Sequence, residues 1–208
     1  WGIGLHVYGS HTDVTQAADI LTSGEYALGI RVDGFNNTLR IAPGVIVRSD
    51  GAQGYALAVT YGKGHHVVHQ GELAAAGDQG IAAVFSFGDN ELGEDFGQRG
   101  SFIYVNDELE NENAGEIGLD GALVENFDVS GSLFGRQAAI LIDDNALVGN
   151  INFLAGSRIE GDIVSLWDPA AERVQSYEST ENMITHLNFG LTANEDGSAG
   201  LTHADENF

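Results

Sequence analysis

Three histidines lie close together in the segment HHVVH, which ends at His69, and they are the first residues here that could do chemistry. If Val68 stacks below Ile41 of a neighbouring strand, the two-residue period of a strand turns His66 inward and His65 and His69 outward. Two outward imidazoles can chelate a transition metal when a third ligand is present. The pattern favours a simpler interpretation, with exposed polar histidines and one half-buried histidine that is hydrogen-bonded near a corner.

Carboxylates form the second candidate site. The first group is Asp89, Glu91, Glu94 and Asp95, and a second group occupies the acidic run from residue 107 to residue 112. Hard cations such as Ca²⁺ bind oxygen ligands of this kind. Neither group has the spacing of an EF-hand, so we interpret them as a solvated loop and keep Ca²⁺ binding as the alternative. No other cofactor is expected.

The adjacent carboxylates Asp143 and Asp144 raise a third hypothesis, because paired carboxylates carry out acid–base chemistry in polysaccharide-active enzymes. Neighbouring residues of a strand point to opposite faces, so the two groups act together only if a turn redirects one of them. No basic residue lies nearby to stabilise the enolate that a lyase forms. An enzyme that cleaves polysaccharides is therefore the alternative to a chain without catalysis.

Glycine and asparagine mark the turns between the elements that hold these residues. Both tolerate positive φ, and a buried asparagine can satisfy backbone groups at a corner. We therefore assign structural roles to two sets of residues. They are Asn36, Asn90 and Asn145 at one kind of turn, with Asn37 beside the first, and Gly44, Gly71 and Gly156 at another.

The elements themselves repeat. The alternating pattern that starts at Tyr26 starts again at Tyr55, 29 residues later, and once more at Ile81, 26 residues after that. Self-similarity at a period of 20–50 residues is typical of solenoids. Inward side chains are expected at every second position, with Tyr26, Tyr55, Phe85 and Phe87 stacked in the core.

Each repeat holds three short strands and no helical segment, as in the repeat from Tyr26 to Gly54, where Leu39 and Ile41 are expected to face inward. This arrangement predicts an all-β fold, a parallel β-helix with three strands per coil. Ile151, Phe153 and Gly156 match Leu39, Ile41 and Gly44, so the same pattern returns after an interruption. At the start of the chain, residues 1–8 suggest a strand, and residues 14–21 suggest a short helix or a distorted strand.

We expect a single domain over residues 1–208. An acidic excursion covers residues 89–128 and returns to the coils near Leu123, and a loosely organised segment covers residues 168–208. The sequence starts at Trp1 without a methionine or an apolar leader, which suggests a piece of a longer chain. We expect a monomer.

Charge restricts the partners. The chain has 31 Asp and Glu against 8 Lys and Arg, a formal net charge of −23. Nucleic acid and anionic membrane surfaces are bound through basic residues, so both are poor partners. With no cysteine, disulfides and thiolate zinc sites are excluded.

Several segments resemble a known family. They are FSFGDN at 85–90, RGSF at 99–102, AI at 139–140 with DNA at 144–146, INFLAGSRIEGDI at 151–163, and HLNFG at 186–190. These segments resemble the passenger region of autotransporters from Gram-negative bacteria, especially those with an upstream subtilisin-like protease domain.

The resemblance implies a right-handed β-helix stalk that is secreted or displayed on the surface of a Gram-negative bacterium. It also implies an outer-membrane barrel and a protease domain, neither of which is present in this sequence, and no catalytic residue of the family can be transferred. We therefore expect a non-catalytic stalk or scaffold that contacts glycans or proteins outside the cell.

Overall fold

The computed structural model describes residues 2–87, 121–169 and 183–203, and every regular element in these ranges is a β-strand. The strands form three sheets. Sheet A contains β1 Ile3–Ser10, β4 Leu28–Phe35, β7 Tyr55–Val59, β10 Ile81–Phe85, β13 Ala138–Ile142 and β16 Ile163–Ser165.

Sheets B and C hold the remaining strands. Sheet B contains β2 Asp13–Gln16, β5 Thr38–Ile41, β8 His65–His69, β11 Val124–Val129, β14 Val148–Leu154, β17 His186–Ala193 and β18 Ala199–His203. Sheet C contains β3 Ile20–Thr22, β6 Ile46–Ser49, β9 Glu72–Ala75, β12 Ser132–Gly135 and β15 Arg158–Glu160.

Up to β16 the chain visits the sheets in the order A, B, C, so that each sheet takes every third strand. We call three such consecutive strands a repeat. The pairings between repeats are parallel, and the pair of β17 with β18 is antiparallel. This topology is consistent with a β-helix or another solenoid. No helix long and apolar enough to span a bilayer occurs in the described ranges.

The core lies between the sheets and is built from inward-facing rows. In sheet B the row Leu39, Val67, Phe127 and Ile151 crosses four adjacent strands, and each of these side chains is at most 1 % exposed. Phe127 also packs edge-on against Phe85 of sheet A at 5.3 Å between ring centroids. Burial of each such side chain contributes about 1.5–3 kcal/mol. The inward positions of Leu39 and Ile41 are confirmed.

One predicted alignment is wrong. Leu28, and not Tyr26, pairs with Tyr55, which brings Ile30 over Leu57. Tyr26 lies in the preceding turn with a φ of 55° and is 39 % exposed, so it is not stacked in the core. Pairing follows the inward aliphatic side chains and not the identity of the tyrosines. The second alignment, of Ile81 with Tyr55, is confirmed, and Phe85 and Phe87 are buried as expected.

Three less regular segments of the sequence also contain strands. Strand β11 lies between β8 and β14, so the last residues of the predicted excursion 89–128 belong to sheet B, and Leu123 directly before it is buried. Residues 14–21 contribute to the two short strands β2 and β3 and to no helix. Strands β17 and β18 lie within the segment 168–208.

Replacing Ile41 by aspartate tests the core. Ile41 is fully buried, and a carboxylate at this position would be desolvated without a cationic partner. We expect Ile41→Asp to destabilise the protein by more than about 4 kcal/mol, enough to abolish a cooperative thermal transition in circular dichroism. Ile46→Asp is the matched control, because Ile46 is 39 % exposed and should keep the transition. A normal transition in Ile41→Asp would contradict the core assignment.

Candidate functional site

The three histidines face the opposite way from the prediction. Thr38 pairs with His66 and Ile41 with His69, one residue later than expected. Since a one-residue change of register exchanges the two faces of a strand, His65 and His69 are fully buried and His66 is exposed. Four residues of strand also separate His65 from His69 by about 13 Å. The two buried rings therefore cannot share a metal ion.

His65 connects neighbouring repeats. Its Nε2–H donates to the Tyr61 carbonyl at 2.9 Å, and its Nδ1 accepts from the Asn37 backbone N–H at 3.3 Å. Burial lowers the pKa of His65, although the hydrogen bond to the Tyr61 carbonyl opposes this shift. The ring is therefore neutral near pH 7 and uses both nitrogens in structural contacts.

His69 occupies the other end of the same strand. Its Nε2–H donates to the Ser132 carbonyl at 2.9 Å, and its Nδ1 has no hydrogen-bond partner among the described residues. Burial lowers the pKa of His69 to about 4, and the bond to Ser132 opposes the shift. Proton binding to this ring would thus put a charge into the core.

Metal ligands do not converge in the described part of the chain, where no group of three or more His, Asp or Glu side chains could hold an ion. The carboxylates Asp89, Glu91, Glu94 and Asp95, together with Asn90, lie outside the described residues. The Ca²⁺ hypothesis stays a prediction.

Asn37 is a corner residue whose side chain makes three hydrogen bonds. Its amide Nδ2 donates to the Gly9 carbonyl at 2.7 Å and to the Asp33 carbonyl at 2.9 Å, while its Oδ1 accepts from the Thr12 backbone N–H at 2.9 Å. Together with its bond to His65, these contacts join three successive repeats. Asn36 beside it has a φ of 54°, which asparagine tolerates better than most residues.

Asn145 lies at the equivalent corner of a later repeat, where it is fully buried. Its Oδ1 accepts from the Phe87 backbone N–H at 3.2 Å. The partners of both corner asparagines include backbone groups of a neighbouring repeat, as the sequence pattern predicts.

The three glycines of the corner between sheets B and C have two different roles. Gly44 and Gly156 have φ angles of 78° and 93°, so they serve the left-handed backbone of the turn. Gly71 is required by close packing, because a Cβ there would lie 2.2 Å from the Val45 carbonyl oxygen. All three have structural roles.

Asp143 and Asp144 lie in the turn after β13. The Asp143 carboxylate accepts from the Ser86 hydroxyl at 2.6 Å and from the Asp144 backbone N–H at 2.9 Å. Burial raises the pKa of Tyr55, and the charge of Asp143 adds to that shift. The carboxylate of Asp143 therefore stabilises its own turn and the turn of the preceding repeat.

A buried charged cluster was missed by sequence reasoning. Asp33, which is fully buried, forms an ion pair with Arg31 at 2.8 Å. Its carboxylate accepts hydrogen bonds from His6 Nε2 at 2.6 Å and from Thr60 Oγ1 at 2.5 Å. Burial lowers the pKa of Arg31, and the Asp33 carboxylate opposes this. The cluster links β1, β4 and the residue after β7. Alternation correctly puts these residues on the outer face but does not indicate that they are buried.

A second missed feature is the polar face of sheet B, which we define as His66, Asn126, Asn150, Asp128, Asn152 and Asn188. In one row Asn150 donates to Asn126 at 3.1 Å, and Asn126 contacts the His66 ring at 3.1 Å. In the next row Asn188 donates to Asn152 at 2.8 Å, and Asn152 donates to Asp128 at 2.6 Å.

The polar face has a sequence signature. The triplets NFD at 126–128, NIN at 150–152 and HLN at 186–188 each place a polar residue on either side of an inward apolar one. Their strands are neighbours in register. Each amide is bonded to the preceding repeat, so this face is a preorganised array of hydrogen-bonding groups.

Comparison with known proteins gives no relative. No family model matches the chain, and no curated protein or solved structure matches it at a significant level.

The buried His69 makes stability depend on pH. Because the unfolded ring binds a proton near pH 6.5 and the folded ring only near pH 4, the native state loses stability as the pH falls between these values. The loss attributable to His69 amounts to about 3 kcal/mol at most, and His65 adds to it in the same direction. Urea unfolding at a series of pH values should therefore show a flatter pH dependence for His69→Gln than for the wild type.

His66→Gln is the control for this measurement, because His66 lies on the same strand but is exposed. It should not reproduce the flattening that His69→Gln causes. An unchanged slope in His69→Gln would contradict the buried, neutral state of His69.

Proposed function

We propose that the chain is a non-catalytic scaffold, a segment of a secreted or surface-displayed stalk of the autotransporter type. Its fold in this proposal is a right-handed parallel β-helix with three strands per coil. The strand order supports three strands per coil, because consecutive strands enter sheets A, B and C in turn. Right-handedness is supported by the general rule for connections between parallel strands of one sheet, about 98 % of which are right-handed.

One observation carries the functional part of the proposal. The residue types that could do chemistry bond to the neighbouring repeats. His65, Asn37 and Asn145 bind backbone groups across repeats, and Asp143 binds Ser86 of the preceding repeat. Buried polar groups that are fully engaged in this way hold a structure rigid. Rigidity along the stack is the property that a stalk requires.

The negative net charge supports the proposal of a chain that is exposed to the extracellular solution. A net charge of −23 keeps copies of the chain apart and its surface soluble, and it disfavours nonspecific contact with nucleic acid. Extracellular glycans or proteins are the proposed partners. The polar face of sheet B adds a candidate contact surface, because its less buried row, His66, Asn126 and Asn150, presents hydrogen-bonding groups at the regular spacing of adjacent strands, about 4.8 Å.

A turnover assay tests the absence of catalysis. We expect no release of reducing ends and no unsaturated products when the purified chain is incubated with neutral and acidic polysaccharides. Asp143→Ala and the exposed control Asp78→Ala should behave like the wild type. Turnover that disappears in Asp143→Ala and persists in Asp78→Ala would overturn the scaffold proposal in favour of a polysaccharide-active enzyme.

A further inference from the structure

The hairpin formed by β17 and β18 departs from the pattern of the other strands. Strand β18 is antiparallel and lies beyond β17 at the edge of sheet B. The turn that joins the two strands nevertheless reaches back over the outer face of the sheet. A Cβ on Gly197 would lie 2.4 Å from Cδ of Gln70, the residue directly after β8. We call residues 194–203 the strap.

Two further contacts place the strap on the same surface. The Ala199 backbone N–H is hydrogen-bonded to the carboxyl group of Asp128, and Asp196 lies within electrostatic reach of Arg40. Val68, Asp128 and Asn152 face outward from sheet B and are nevertheless 4, 5 and 5 % exposed. The strap therefore lies against the row of the polar face that contains Asp128.

The strap forms its turn largely from its own groups. The Asn194 backbone N–H donates to the Ser198 carbonyl at 2.8 Å, and the Asn194 side chain donates to the Ala199 carbonyl at 3.0 Å. Asp196 accepts from the Ser198 backbone N–H at 3.0 Å. The turn holds its own shape, so its release from the outer face loses the contacts with Gln70 and Asp128, whereas β18 stays paired with β17 at the edge of the sheet.

We propose that the strap is a detachable cover of the polar face of sheet B and that it docks more tightly as the medium becomes more acidic. Asp128 is the group that senses pH. Release of the strap exposes Asp128 and its neighbours to solvent, whereas docking buries the carboxyl group beside a second carboxylate.

The charges around Asp128 determine the direction of the effect. Burial raises the pKa of Asp128, and Asp196 of the strap adds to this shift. Hydrogen bonds from Asn152 and Ala199, and the charge of His66 on β8, oppose it without reversing it. Arg40 on β5 acts on Asp196, and His186 lies on β17 in the neighbouring exposed row.

A carboxyl group whose pKa is raised in the docked state binds a proton on docking. The docked state is therefore stabilised relative to the released state as the pH falls through the raised pKa, and this stabilisation is lost as the pH rises above it. The stabilisation of docking is complete below the ordinary pKa of an aspartate, where Asp128 is protonated in both the docked and the released state.

Distance measurement on a doubly spin-labelled chain tests the proposal. The sequence has no cysteine, so Thr15→Cys on β2 and Glu195→Cys on the strap can be labelled without background. Electron–electron double resonance should show a larger fraction of the short, docked distance at about pH 4.5 than at about pH 7.5. In Asp128→Asn, which has a similar shape but cannot titrate, the fraction should be the same at both pH values.

Gly197→Val tests the docking contact itself. Valine strains the turn of the strap, because φ at this position is 83°, and its side chain displaces the flexible end of Gln70. We expect a smaller docked fraction than in the wild type at both pH values, while the melting transition of the sheets persists. Gly2→Val is the control, because nothing lies within 4 Å of a Cβ at that position.

Two results would overturn the proposal. One is a docked fraction in the wild type that does not change with pH, and the other is an equal pH response in Asp128→Asn. A docked fraction in Gly197→Val equal to that of the wild type at both pH values would contradict docking through this turn.

Discussion

Parallel backbone hydrogen bonds join each repeat to the next, and their register decides which side chains are buried. In sheet B the Gln70 N–H donates to the Ile41 carbonyl at 3.0 Å and the His66 N–H to the Asn37 carbonyl at 2.9 Å. This register puts His69 below Ile41 and His66 on the surface. A slip of one residue would exchange the two faces and put His66 into the core.

Polar side chains at the corners also join each repeat to the next. Turns between parallel strands leave backbone groups that need partners away from water, and Asn37, Asn145 and His65 supply them. The Arg31–Asp33 pair supplies partners for buried charges, because Asp33 contacts donor groups from three successive repeats. Removing one member of such a cluster would leave the others buried without compensation, so these polar groups specify one arrangement of the repeats.

Much of the fold follows from the sequence, because strand alternation and glycine-rich turns are local signals. The repeats that begin near Tyr26, Tyr55, Ile81 and Ala138 are present as successive strands of sheet A. The first alignment was wrong because Tyr26 and Tyr55 look alike, whereas the structure matches the inward aliphatic residues. Strand β11 begins directly after the predicted return to the coils near Leu123, although the predicted bounds of the acidic excursion extend to residue 128.

The site was less predictable for a physical reason. Whether a side chain faces inward depends on the length of each turn, and one additional residue before β8 reverses all three histidines. Burial of an outward-facing group, as for Arg31 and Asp128, depends on elements that are distant in sequence. The polar face of sheet B did have a signal, the triplets at 126–128, 150–152 and 186–188, which becomes visible only when strands rather than whole repeats are aligned.

The most direct test of this account is the hydrogen-bond register between β5 and β8, measured by through-hydrogen-bond couplings in the NMR spectra of isotope-labelled protein. The account predicts a coupling between the Gln70 amide nitrogen and the Ile41 carbonyl carbon, and another between the His66 amide nitrogen and the Asn37 carbonyl carbon. A coupling from the His69 amide nitrogen to the Ile41 carbonyl carbon would show the register that places Val68 below Ile41, and it would contradict the account.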